Sequence, residues 1–153
     1  NAELEELEFS DLKNLEKEVS YTYRVKAGNF ATKNDDGSMS LKPFFGGYDL
    51  TKTYASLSDR KYDLVLDFPW TGSKTVIYEL PEGYNVVYVP ADFHYDAPFA
   101  SCDITYGKKP QGITISMKLV MKTDRITVSQ YQDWRKFCEQ FDEKQNEKIR
   151  IAK

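Results

Sequence analysis

The segment from Ile113 to Met121 sets the strongest limit on the fold, because Ile113, Ile115, Met117, Leu119 and Met121 alternate with Thr114, Ser116 and Lys118. A repeat of two sends successive side chains to opposite faces of an extended chain, one toward a core and one toward water. The same period recurs elsewhere. Val19, Tyr21, Tyr23 and Val25 oppose Ser20, Thr22, Arg24 and Lys26, while Tyr62, Leu64, Leu66 and Phe68 alternate with Asp63, Val65 and Asp67. Val76, Tyr78 and Leu80 share one parity, as do Cys102, Ile104 and Tyr106. Short strands separated by turn signals, without the helical crossovers that a parallel sheet requires, predict a mainly β protein. The expected architecture is an immunoglobulin-like antiparallel β-sandwich.

The punctuation between these segments predicts their connections. Leu80-Pro81-Glu82-Gly83-Tyr84 reads as a tight turn, since Pro presets its own φ and Gly supplies a positive one; it should open a hairpin whose second strand runs from Tyr84 to Val89. Residues 107–112 join the Cys102 strand to the Ile113 strand. Asn34-Asp35-Asp36-Gly37 is a favourable hairpin turn between Phe30–Thr32 and Met39–Leu41. One α-helix is expected over about residues 130–145, capped by Ser129 with Gln132 completing a capping box. Tyr131, Trp134, Cys138 and Phe141 then fall on one face with Phe137 at its edge, so this C-terminal helix should pack on the sandwich through its aromatics. Glu147 to Ile151 adds a last strand.

Charge separates the beginning of the chain from the rest. Residues 1–18 carry seven acidic and two basic side chains, within a chain of 153 residues and net charge −3. They are assigned to an acidic N-terminal strand or loop, in which Leu4, Leu7, Leu12 and Leu15 could line a helix or Glu3 to Phe9 a first strand. Residues 19–153 are assigned to the sandwich domain. The chain starts at Asn1 rather than Met, the expectation for a processed chain or a piece of a longer one. Eleven Tyr, nine Phe and two Trp supply ample material for a core. No apolar run approaches the roughly 20 residues needed to cross a bilayer, so membrane insertion is not expected. The lack of a basic stripe argues against nucleic acid as a partner, because phosphate neutralisation supplies most of that affinity.

Reactive side chains are few. Cys102, Cys138 and His94 would be needed for a thiol nucleophile with its base, but both cysteines fall on core-facing parities, whereas an attacking thiolate needs partial exposure and nearby positive charge. They read as buried thiols, and a Cys102–Cys138 disulfide requires a geometry that sequence does not supply. Asp92, His94 and Asp96 would point the same way on a strand, as a two-carboxylate, one-imidazole metal site would require. The alternative is a half-exposed strand with a polar outer face. Asp35-Asp36-Gly37 lacks the further oxygen ligands of a calcium loop and reads as a turn. Gly46-Gly47 lacks the Lys and Ser/Thr of a phosphate loop. No catalytic residue and no cofactor is therefore assigned. Phe44, Phe45 and Tyr48, with Trp70, remain as a candidate contact surface for a glycan or peptide.

Leu64-Val65-Leu66-Asp67-Phe68-Pro69-Trp70, Tyr78-Glu79-Leu80-Pro81-Glu82-Gly83-Tyr84 and the stretch from Ile126 through Tyr131-Gln132-Asp133-Trp134-Arg135-Lys136-Phe137 occur in an order that carries a resemblance. From about Tyr54 to Lys153 the chain resembles the uncharacterised C-terminal domain that follows a transglutaminase-like module in bacterial exported proteins. The resemblance implies a non-catalytic accessory domain that packs against or positions that papain-like module, its upstream partner in the same chain. The Cys, His and Asp of the reaction would belong to the module. It further implies a periplasmic, cell-surface or secreted location, where a disulfide is chemically allowed.

Overall fold

The computed structural model describes residues 2–13, 16, 20–27 and 30–153, with backbone alone for residues 2 and 25–27. They divide into two compact units, Asn1–Thr32 and Lys33–Lys153.

The first unit is a two-stranded hairpin. β1 (Ala2–Phe9) pairs antiparallel with β2 (Tyr21–Ala27), setting Leu7 opposite Tyr23 and Phe9 opposite Tyr21, with an irregularity between Leu4 and Glu6. Of the two readings of the acidic segment, the strand is the one found. The boundary expected at 18/19 thus lies inside this hairpin, because the second alternating segment pairs with the first. Arg24 reaches Glu6 at 3.5 Å across the pair. Leu15 and Val19, used in the sequence argument, lie outside the described residues.

Along the rest of the chain come β3 (Thr32–Lys33), β4 (Met39–Leu41), a short helix α1 (Leu50–Tyr54), β5 (Leu64–Val65), β6 (Trp70–Glu79), β7 (Asn85–Tyr88), β8 (Phe93–Asp96), β9 (Ala100–Lys109), β10 (Gly112–Met121), β11 (Arg125–Ile126), α2 (Tyr131–Asn146) and β12 (Ile149–Ala152). A principal antiparallel sheet has the order β6-β10-β9-β8, a second has the order β3-β4-β12-β7, and β5 pairs with β11. The protein is mainly β, a sandwich of antiparallel sheets with one long helix packed on them.

The principal sheet follows the alternation in the sequence. Ile113, Ile115, Met117, Leu119 and Met121 are at most 2% exposed, and the register places Ile104, Cys102 and Ala100 of β9 directly beside Met117, Leu119 and Met121. Two unlike elements cover this face. Near β8 and β9, α2 lays down Trp134, Phe137 and Phe141, all fully buried; Phe137 stacks obliquely on Tyr95 at 4.6 Å between centroids and Phe99 meets Trp134 edge-on at 5.7 Å. Near β6, the segment after β4 crosses instead, fixed by the Tyr78 hydroxyl donating to the Lys42 carbonyl at 2.8 Å. Aromatic pairs of this kind add to the area they remove from water.

Three connections differ from expectation. The turn at Pro81 forms, with Tyr84 N donating to Pro81 O at 3.1 Å and Gly83 at φ 83°, but it does not make a hairpin. β6 pairs with β10 while β7 pairs with β12, so the turn carries the chain from one sheet to the other. The strand expected from Tyr62 to Phe68 shortens to β5: Leu64 and Leu66 are buried, but Tyr62 and Phe68 are exposed, and Pro69 has no N–H to continue a ladder. Ser129 does not cap α2. Thr127 begins a 3₁₀ turn there, its N–H donating to Gln130 Oε1 at 3.1 Å, and the Ser129 hydroxyl bonds Thr127 Oγ1 at 3.0 Å. The turn at Asn34 is as expected, with Asn34 N donating to Ser38 O at 2.8 Å.

Phe137 contacts Tyr95, Phe99, Trp134 and Phe141 from a fully buried position. Phe137→Ala is expected to lower the unfolding free energy by about 3–5 kcal/mol, the usual cost of emptying a buried aromatic site. Urea denaturation followed by far-UV circular dichroism measures it; a loss below about 1 kcal/mol would contradict the helix-to-sheet packing.

Candidate functional site

The aromatic residues singled out in the sequence do not form one patch. Phe44 is 5% exposed and belongs to the core, Phe45 is 58% exposed, and Tyr48 and Trp70 are half-buried against each other with centroids 5.4 Å apart. The Phe44 assignment to a contact surface is corrected. Pro43 is buried with it, and the chain turns sharply afterwards at Gly46, φ 65°.

Polar groups on α2 hold the backbone of this loop. Tyr48 N donates to Gln145 Oε1 at 3.0 Å, and Gln145 Nε2 donates back to Tyr48 O, so one side-chain amide satisfies both peptide groups as a neighbouring strand would. Asp142 accepts from Gln145 Nε2 at 3.0 Å and from the backbone N–H groups of Leu50 and Thr51 at 3.1 and 2.8 Å. The approach is close enough that a Cβ on Gly47 would lie 2.8 Å from Gln145 Oε1. Gly72 has the corresponding role under the rings, since a Cβ there would lie 2.6 Å from the Tyr48 hydroxyl and 2.9 Å from the Trp70 ring. Lys74, next on this face of β6, places its ammonium 4.5 Å from the Tyr48 ring centroid and donates to Gly46 O at 3.0 Å.

Beside Trp70 the irregular step between β5 and β6 opens a cavity of about 80 Å³, lined by Tyr54, Leu66, Asp67, Phe68, Trp70, Met121 and Trp134. Leu66 N donates to Asp124 O at 2.7 Å, and Asp63 accepts from Val128 N at 3.0 Å, which fixes this step against the start of α2. Trp134 is fully buried, yet its indole N–H has no hydrogen-bond partner among the described residues. A buried unpaired donor costs free energy that a suitable acceptor would recover. Phe68, 63% exposed, stands at the mouth. Strand parity placed Phe68 inward; the Phe68-Pro69-Trp70 sequence was the available signal that the ladder breaks there.

The remaining candidates are accounted for individually. β8 does point His94 and Asp96 outward, but each finds its own partner: His94 Nδ1 lies 2.5 Å from Asp103, Asp96 pairs with Lys122, and Asp92 accepts from Tyr106 N at 3.0 Å. The Lys122 ammonium holds the Asp96 carboxyl below the usual range. Among the described residues no group of three or more His, Cys, Asp or Glu is placed to hold a metal ion. Asp36 is committed to Ser38 and Arg150. Cys102 and Cys138 are free thiols, both fully buried; burial pushes the Cys102 thiol up to about 12 and the Cys138 thiol upward as well. Neither can present a thiolate to a substrate at neutral pH, and the described residues contain no catalytic constellation.

Two measurements test this division. A disulfide-exchange thiol reagent is expected to label neither cysteine in the native protein and both in denaturant; rapid native labelling would place a thiol at the surface. Phe44→Ala is expected to cost about 3–5 kcal/mol in urea unfolding and Phe45→Ala less than about 1 kcal/mol. Equal costs would contradict the burial of one ring and not the other.

Comparison with known proteins places this arrangement. Residues 37–151 match the family described as a domain of unknown function with a solved structure, DUF3858. The crystal structure of a Parabacteroides distasonis protein described as a candidate protease superimposes with a TM-score of 0.62 at 14% identity, over 79% of this chain and 24% of that one. This chain therefore spans about a quarter of the length of that protein, and the likeness concerns the fold. Among curated proteins none matches the chain significantly. The matched family is the one toward which the Leu64–Trp70, Tyr78–Tyr84 and Ile126–Phe137 landmarks pointed, found after transglutaminase-like and peptidase modules in bacterial exported proteins, and the chain belongs to this DUF3858 family.

Proposed function

We propose that the domain is a non-catalytic binding module that presents the aromatic cleft around Trp70 to a peptide or glycan, within a larger exported protein carrying a transglutaminase-like module. The observation that carries this reading is the cleft itself: half-buried Trp70 and exposed Phe68 flank a cavity whose wall includes the buried Trp134. Aromatic faces suit the apolar faces of sugars and the side chains of peptides alike. The Tyr48–Trp70 pair is held rigidly over Gly72 and pinned by Gln145, so little ordering entropy is lost on binding. The family association supports a periplasmic, surface or secreted setting, and no described helix is long and apolar enough to cross a membrane.

A second reading has its own support. The β1–β2 hairpin sets Leu4, Leu7, Phe9, Tyr21 and Tyr23 at paired positions on one side, and each is 47–62% exposed. Isolated two-stranded hairpins are marginal in water, and an apolar face of this kind is stabilised by a covering partner. An upstream module of the same protein is the partner that the family association suggests, which would make the domain an accessory that packs against or positions it. The description of the Parabacteroides distasonis relative is of that protein as a whole, and the likeness to it concerns the fold alone.

Glycan and peptide arrays probed with the labelled chain test the first reading. Trp70→Ala is expected to weaken binding at least tenfold, about 1.4 kcal/mol, while Phe45→Ala has little effect. Unchanged binding in Trp70→Ala would remove the cleft from the function. For the second, Leu7→Lys with Tyr23→Lys in the full-length protein is expected to lower its Tm by several degrees; an unchanged Tm would show that the hairpin face is uncovered there.

A further inference from the structure

We infer that the ligand of the Trp70 cleft is an extended peptide that adds to the free edge of β6 as a fifth strand and places an apolar side chain in the cavity. This deepens the binding reading above and rests on it. β6 is ten residues long and stands at the edge of the principal sheet; among the described residues it pairs with β10 alone, in unbroken register from Trp70–Met121 to Glu79–Gly112. Leu80 N donates to Gln111 O at 3.1 Å, in continuation of that register. In an antiparallel ladder the residues that exchange hydrogen bonds with the partner recur every second position. The even residues of β6 therefore bond β10, and Thr71, Ser73, Thr75, Ile77 and Glu79 aim their backbone N–H and C=O groups at the open edge.

Long edges are ordinarily blunted by a proline, a bulge, brevity or a charge. β6 has no proline and no bulge; of its two charges, Lys74 is turned onto Gly46 O and the Tyr48 ring, and Glu79 stands at its last residue, the end away from the cavity. The cavity lies at the first residue of this same strand. Peptide groups repeat every two residues along one side of an added strand, matching the spacing of the donors and acceptors on β6, whereas a sugar chain carries no such ladder.

The test uses the full 153-residue chain and a positional library of ten-residue peptides in Ser/Thr backgrounds with Leu, Phe or Tyr scanned through each position. Selected peptides are expected to share one apolar position, and Trp70→Ala and Thr75→Pro should each weaken their binding at least tenfold. Thr75→Pro removes a donor aimed at the open edge and no bond to β10, so its thermal unfolding should remain near wild type, and Thr75→Ala should bind normally. Alternate N-methylation of the selected peptide should abolish its binding to the wild-type chain, a result that stands even if the proline variant fails to fold. Full affinity for the N-methylated peptide, with the Trp70→Ala loss retained, would overturn strand addition while leaving the aromatic cleft in place. Indifference to Trp70→Ala as well would remove both. A wild-type dimer that Thr75→Pro converts to monomer would assign the edge to a second copy of the chain and overturn the peptide proposal, as would a library from which nothing binds.

Discussion

The contact on which the remainder of this domain depends is the burial of the aromatic face of α2 against the principal sheet. Trp134, Phe137, Cys138 and Phe141 have no exposed surface, and the inward residues of β9 and β10 are nearly as inaccessible. Burial of this kind is the main favourable term in a domain of this size. It also fixes the position of the polar groups that α2 carries farther along. Asp142 and Gln145 can grip the backbone from Tyr48 to Thr51 because the helix beneath them is immobilised by its rings.

That grip explains why the aromatic cleft is a shaped feature rather than a loose loop. Gln145 satisfies both peptide groups of Tyr48, Tyr48 is stacked on Trp70, and the absence of side chains at Gly47 and Gly72 permits both approaches. The second layer over β6 is thus made of an irregular segment held by a helix, where a complete sheet would have covered the strand. The consequence is an edge strand with a cavity at its beginning, the combination from which the proposed binding role follows.

Much of this was legible from side-chain patterning. Alternation located β9, β10 and the inward cysteines, and spacing located α2 with its buried face, because both signals depend only on the period of the local backbone. The landmarks that carried the family resemblance are segments of the same kind. Pairing was legible less often. The turn at Pro81 and Gly83 is encoded locally, but whether it closes a hairpin depends on which strands compete for each edge, and β12, more than sixty residues later, takes β7. The second alternating segment similarly found its partner in the acidic N-terminal strand, for which nothing local specified a choice.

The candidate site shows the same division at the level of single residues. By itself the sequence determined that the chain makes antiparallel strands and one aromatic helix, that its thiols face inward, and that Phe44, Phe45 and Tyr48 stand together around Gly46 and Gly47. Only the tertiary structure decided that Phe44 joins the core while Phe45 does not, that Tyr54, Phe68 and Trp134 line a cavity with Trp70, and that β6 is left at an edge. Local periodicity fixes which way a side chain points from its own backbone; what lies in that direction is set by elements distant in sequence, whose packing is decided by the burial of the whole.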